Sequence, residues 1–111
     1  MSKYNNIKTE IDGIVFASKK EAAYYCELKI RKKAKDITDF ELQPVFELLP
    51  SFYPLYGGKK KTIGIKYIAD FRVQHRDGTV EIIDTKGFYT EAFKIKKKLF
   101  EFKYPYKLTI I

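Results

Sequence analysis

Tryptophan is absent from this chain, and cysteine, histidine and methionine occur once each. A single thiol, Cys26, excludes an internal disulfide and suits a reducing cytoplasm. It falls within an expected helix, where a buried inert thiol is the ordinary case. The one histidine, His75, is expected to be exposed at the end of a hairpin. It has no cysteine or second histidine to join it, which argues against zinc. There is no Ser-His-Asp set, no P-loop and no dinucleotide fingerprint. No apolar run approaches membrane-spanning length, and the first residues carry no signal-peptide pattern, so no membrane partner is expected. Acids are also scarce: 14 Asp and Glu stand against 22 Lys and Arg, a net charge of +8 at pH 7. That deficit suits a polyanionic partner, although a merely soluble basic surface would show the same balance.

What is present is ordinary in bulk. At 111 residues and 45% hydrophobic, the chain suffices for one domain with one core and is not disordered in composition. Its densest chemistry lies in residues 66–87, KYIADFRVQHRDGTVEIIDTKG. Two strands flank a turn at Arg76-Asp77-Gly78. Along the second, 79–86, side chains alternate, so Val80, Ile82, Asp84 and Lys86 share a face. A core face that finishes in an acid and a base needs partners for both, because burying a lone charge is costly. A two-residue Asp77-Gly78 loop would set Asp70 opposite Thr85, facing away from Asp84. A three-residue loop, with Gly78 in the left-handed region, sets His75 opposite Thr79 and Asp70 opposite Asp84. We expect the second register, with two carboxylates side by side and Lys86 one step further. Such a pair repels by about 4 kcal/mol at an effective dielectric of about 20. One lysine offsets only part of this. A divalent cation relieves it, and Mg²⁺ typically uses one or two carboxylates plus substrate phosphate.

Asp70, followed by Asp84-x-Lys86 on the next strand, resembles the active-site signature of the PD-(D/E)XK nucleases, the restriction-endonuclease-like superfamily. The chain most resembles small phage- and prophage-type endodeoxyribonucleases related in fold to Holliday-junction resolvases. The likeness covers nearly the whole chain: an early helix with Glu21, the Gln43-Pro44 pair, Tyr67-x-x-Asp70-Phe71, Asp84-x-Lys86-Gly87 and a basic second helix. Ala69 stands where a proline would precede Asp70, a departure the family tolerates. The resemblance implies a single α/β domain over 1–111. It would be a restriction-endonuclease-like αβββαβ core, with a mixed central sheet flanked by helices behind an N-terminal β-hairpin. It implies Mg²⁺- or Mn²⁺-dependent hydrolysis of DNA, on branched or on recombination and replication intermediates, leaving 5′-phosphate and 3′-hydroxyl ends. The compartment would be the cytoplasm of a bacterium or a phage-infected host. Asp70, Asp84 and the Thr85 carbonyl would hold the metal, and Glu21 would complete the site. Lys86 would orient the attacking water and stabilise charge on the phosphate. As a general base it would need a depressed pKa, which the carboxylates oppose. Two-strand cutting at a junction would favour a homodimer.

The remaining segments fit that order. Strands at about 8–10 and 14–16 flank Asp12-Gly13. A helix over 18–34 opens with the capping box Ser18-x-x-Glu21, and its many apolar residues imply packing around much of its girth. Glu21 has two readings, a cap that bonds the Ser18 backbone or the site acid of the resemblance. Residues 40–49 are extended and interrupted by Pro44. Gln43 either lines the site or faces solvent. Residues 51–61 form a loop or hairpin tip, where Lys59, Lys60 and Lys61 either straddle a DNA backbone or form a solvated charge run. In a helix over 90–103, Phe93, Ile95, Leu99, Phe100 and Phe102 share one broad face. Lys96 lands inside that arc, either snorkelling to the rim or binding the scissile phosphate. A final strand, 107–111, follows a connection long enough to lie parallel to a central strand. Two other classes compete with a nuclease. One is a non-catalytic nucleic-acid-binding protein on the same fold, which gains nothing from paired acids facing its ligand. The other is a small assembly protein in which the spacing is coincidence.

Overall fold

The structure, a computed structural model, describes residues 7–85 and 89–111. Asp12 and Gly13 turn a short hairpin of β1 (Thr9–Ile11) and β2 (Ile14–Phe16). Its tip is tied to the next element, because the Tyr25 hydroxyl donates to Asp12 at 2.9 Å and Lys29 pairs with the same carboxylate. Ser18 caps α1 (Lys19–Lys33), its hydroxyl accepting from the Glu21 amide at 3.1 Å. The helix ends in Arg31, Lys32 and Lys33, which suit its negative C-terminal pole. Only Glu21, Ala22, Tyr25 and Leu28 are buried, a single stripe. The expected packing around much of the girth is corrected: Ala23 and Ile30 face solvent, because one flank alone meets the sheet.

The chain continues through β3 (Ile37–Leu42), β4 (Val45–Leu49), β5 (Ile65–Ile68), β6 (Phe71–His75), β7 (Val80–Asp84), α2 (Glu91–Lys103) and β8 (Lys107–Ile110). Four strands form a mixed sheet in the order β3-β6-β7-β8, with the last pair parallel. The β6–β7 turn has the expected three-residue form. His75 donates its amide to the Thr79 carbonyl at 2.9 Å, and Gly78 sits at φ +89°. Phe71 pairs with Ile83, the expected register, and the ladder stops there: the Asp70 amide donates to the Ile83 carbonyl at 3.1 Å, one residue before β6 begins. His75 is not freely exposed as expected. Its Nε2 lies 2.9 Å from Glu81, its diagonal neighbour across the ladder, and Glu81 also accepts from Thr109. At the far side, the Ile111 amide donates to the Asp84 carbonyl at 3.0 Å.

Each face of the sheet carries a helix and its own core. Phe16, Ala22, Leu28, Phe71, Val73 and Ile83 pack on the α1 side, and Phe46, Tyr67, Ala69, Ile82, Phe93, Phe100 and Leu108 on the α2 side. The result is a small α/β fold with a mixed sheet and two helices. None of its helices among the described residues is long and apolar enough to cross a membrane. The broad apolar face expected of α2 is narrower. Phe93 and Phe100 are buried, but Ile95 and Phe102 are exposed, Phe102 by 93%. Two residues one heptad apart suffice to seat the helix, and the flanks stay in water.

The expected single strand over 66–75 is broken. Strands β3 and β4 meet at Gln43-Pro44, and β5 and β6 meet at Ala69-Asp70, yet the ladder keeps step across the break. Leu42 pairs with Phe71 and Val45 with Ile68. The Gln43 amide donates to the Asp70 carbonyl at 2.9 Å, and the Ala69 amide to the Pro44 carbonyl at 3.1 Å. Pro44 offers no amide of its own, and Gln43 takes a left-handed φ of +49°. The bend carries the ribbon over the end of the sheet. Tyr67 and Ala69 therefore enter the α2 core, although Phe71 and Val73, in the same alternation, lie in the α1 core.

Candidate functional site

The bend gathers residues that are far apart in sequence. Asp70 supplies one wall of a cavity of about 150 Å³, and Glu21 of α1, Gln43 at the bend and Ile14, Val15, Phe16 and Leu42 supply the rest. Glu21 is only 5% exposed. Its carboxylate accepts from the Ala17 amide at 3.2 Å, one residue before the cap, rather than from the Ser18 backbone as a capping box would have it. The cap and the cavity wall are thus compatible roles, since Ser18 accepts from the Glu21 backbone while the side chain borders the cavity. Gln43, expected either at the site or in solvent, borders the cavity and is also exposed. Its left-handed backbone costs about 1–2 kcal/mol for a residue other than glycine, a strain that tends to persist at functional positions.

Each of the two aspartates has its own donors. One Asp70 oxygen accepts from both the amide and the hydroxyl of Thr85, each at 2.7 Å. Thr85, expected to contribute a carbonyl, therefore also fixes Asp70 through two donors. Asp84 is 0% exposed and accepts from the Tyr67 hydroxyl at 2.6 Å. It does not line the cavity that Asp70, Glu21 and Gln43 border. The β6–β7 register is the one expected, but the two carboxylates are not side by side in one site: the bend turns Tyr67 onto Asp84 and Asp70 toward α1. Burial first, then the bond to Asp84, push the Tyr67 phenol far above its ordinary range, and the negative charges of Asp84 and Asp70 add to the shift. Both acids thus act on one phenol. Lys86 and Gly87 lie outside the described residues.

Beyond Tyr67 the surface opens into a groove of about 350 Å³ between β5 and α2, lined by Lys66, Tyr67, Ile68, Thr90, Ala92, Phe93 and Lys96. Lys96, half-buried in the apolar arc, stands on its wall opposite Lys66. Lys59, Lys60 and Lys61 are exposed on the β4–β5 connection and line neither space.

Two residues escaped the sequence reading. The sequence pattern gives Tyr67 no role, because in a straight strand it would face away from Asp84. Lys66 gave no signal of its own. Among the described residues, no three or more His, Cys, Asp or Glu side chains form a ready metal-ligand group. The donors bordering the cavity are two carboxylates and one amide, hard oxygen ligands of the type that suits Mg²⁺ or Mn²⁺. No curated protein and no solved structure matches the chain. A family model described as "Protein of unknown function (DUF1064)" matches residues 1–111, and the chain belongs to that family.

Proposed function

We propose that the protein is a metal-dependent endodeoxyribonuclease that hydrolyses DNA phosphodiester bonds on a restriction-endonuclease-like core. One observation carries this reading. Glu21, Gln43 and Asp70, from three separate segments, border one cavity beside the strand end that bears Asp84 and leads into Thr85. Glu21 and Asp70 would hold Mg²⁺ or Mn²⁺, with Gln43 and the Thr85 carbonyl as further oxygen donors. Asp84 would join after its carboxylate leaves Tyr67. The ion, when bound, polarises the scissile phosphate and lowers the pKa of a coordinated water. The chain's own residues do the rest. Thr85 orients the Asp70 carboxylate through two donors. Lys66 and Lys96 offer ammonium groups to the DNA backbone along the groove. Lys86 would orient water and offset charge on the phosphate.

A second reading rests on Asp84. A carboxylate without solvent contact, held by a phenol, also suits a DNA-binding platform that keeps the fold without the chemistry. The discriminating assay incubates linear, nicked and four-way-junction DNA with Mg²⁺, Mn²⁺ or EDTA. Cleavage is expected with either metal and not in EDTA. Asp70→Asn and Asp84→Asn should each lower it by about 100-fold or more, the scale of losing one transition-state stabilising group. Cleavage that survives EDTA ends the metal mechanism, and binding without cleavage under every condition installs the second reading.

A further inference from the structure

Five of the fifteen exposed large apolar side chains among the described residues lie in one connection. The connection between β4 and β5, residues 50–64, exposes Phe52, Tyr53, Leu55, Tyr56 and Ile63. This arm is ordered by its own backbone. Phe52 and Thr62 exchange hydrogen bonds of 2.9 and 2.7 Å. At its base the Gly64 amide donates to Ser51 Oγ at 2.9 Å. The approach is so tight that a Cβ on Gly64 would lie 2.1 Å from the Leu49 carbonyl oxygen. At the apex the Gly57 amide closes a turn onto the Pro54 carbonyl at 3.1 Å, leaving Leu55 fully exposed and Tyr56 exposed by 88%. Lys59, Lys60 and Lys61 follow at once, and residues 50–64 contain no acid.

Apolar side chains exposed along one ordered arm suit an interaction site, and the charge beside them selects the occupant. A second copy of the arm would set its lysines against these, with no local acid to offset the repulsion. DNA brings phosphates for the lysines. Where its bases are unpaired it also brings flat apolar faces for the apex, which a closed duplex keeps in its stack. The arm runs directly into β5, whose Lys66 begins the basic groove.

We propose that the 50–64 arm is a stacking wedge that selects DNA with unpaired bases, with Tyr56 and Leu55 against base faces and Lys59, Lys60 and Lys61 on phosphates. This rests on the nuclease reading for its class of partner and adds the structural feature of the substrate. Binding is measured in EDTA, so that no strand is cut. The probes are duplex, single-stranded and forked DNA of equal length, each with 2-aminopurine at the fork position. The wild type should bind the forked and single-stranded probes about tenfold tighter than duplex, with altered 2-aminopurine emission, the scale of one base–aromatic stack. Leu55→Ser/Tyr56→Ser should abolish that preference while keeping duplex affinity and the thermal melt. An unchanged preference, an equal loss on all three probes, a dimer that dissociates in the double variant, or arm-dependent binding to anionic vesicles in place of DNA would each overturn the wedge. Cleavage with Mg²⁺ is scored separately. If no DNA is cut but the preference holds, the nuclease reading fails and the wedge stands. If DNA is cut with no difference between the proteins on any probe, the wedge fails and the nuclease stands.

Discussion

Tyr67 is the residue on which the two acids converge. Its hydroxyl donates to the buried Asp84 carboxylate at 2.6 Å, and its ring is packed between Phe46, Phe93 and Phe100. Tyr67→Phe keeps the ring and removes that donor, so it should destabilise the protein by about 2 kcal/mol near neutral pH, the usual range for a bond to a charged group. Alkali tests the same contact in another way. The folded phenol titrates far above its ordinary value of 10.0, so the unfolded chain loses this proton first. Stability from Tyr67 is therefore complete below pH 10 and drains away as pH rises beyond it. Urea melts should show the gap between wild type and Tyr67→Phe narrowing above that pH. A gap that widens there would refute the assignment.

Among the elements, the bent ribbon does most to set the site. The sequence made several of its parts legible for local reasons. Asp77-Gly78 announced a turn compatible with two registers, and the three-residue Arg76-Asp77-Gly78 form expected of it sets the pairing of β6 with β7. Ser18 and Thr90 each announced a helix start and do cap them. Pro44 announced an interruption, but not where the ribbon would go after it. A one-dimensional pattern holds alternation and no layer, so Tyr67 could not be placed on Asp84, nor Asp70 on the Glu21 side. The exposure of Ile95 and Phe102 was hidden for a related reason, since helical phase gives the width of an apolar arc and not how much of it the sheet covers. The arm beyond β4 and β5 gives a test at this scale. Gly64→Ala drives a Cβ into the Leu49–Ser51 backbone, at 2.1 Å from the Leu49 oxygen. The arm base must open, at a cost of about 1–3 kcal/mol. Hydrogen exchange should then accelerate at the Phe52 and Thr62 amides while α1 keeps its protection. Unchanged exchange in the arm would show that its base is not the brace described.

At the scale of the whole molecule, the proposed encounter with DNA would be governed by charge. The net charge of +8 includes Lys59, Lys60 and Lys61 on the arm and Lys66 and Lys96 in the groove. If these five lysines each neutralise a phosphate, the log of the DNA association constant should fall against the log of salt with a slope of about −4 to −5. Titrations between about 50 and 200 mM salt measure it. Replacing Lys59, Lys60 and Lys61 by Ala should reduce the slope by about 3, and a slope near zero in the wild type would mean that phosphates contribute little.

The parallel strand β8 has a consequence in time as well as in space. It is translated after Glu21, Asp70 and Asp84, and its partner is β7, so Asp84 receives the Ile111 amide only when β8 and the residue after it have been made. A nascent chain on the ribosome therefore carries Glu21, Asp70 and Asp84 without the strand that braces them. Assembly of this region is in this way ordered in time, since the bracing of Asp84 can follow the synthesis of the acids but never precede it.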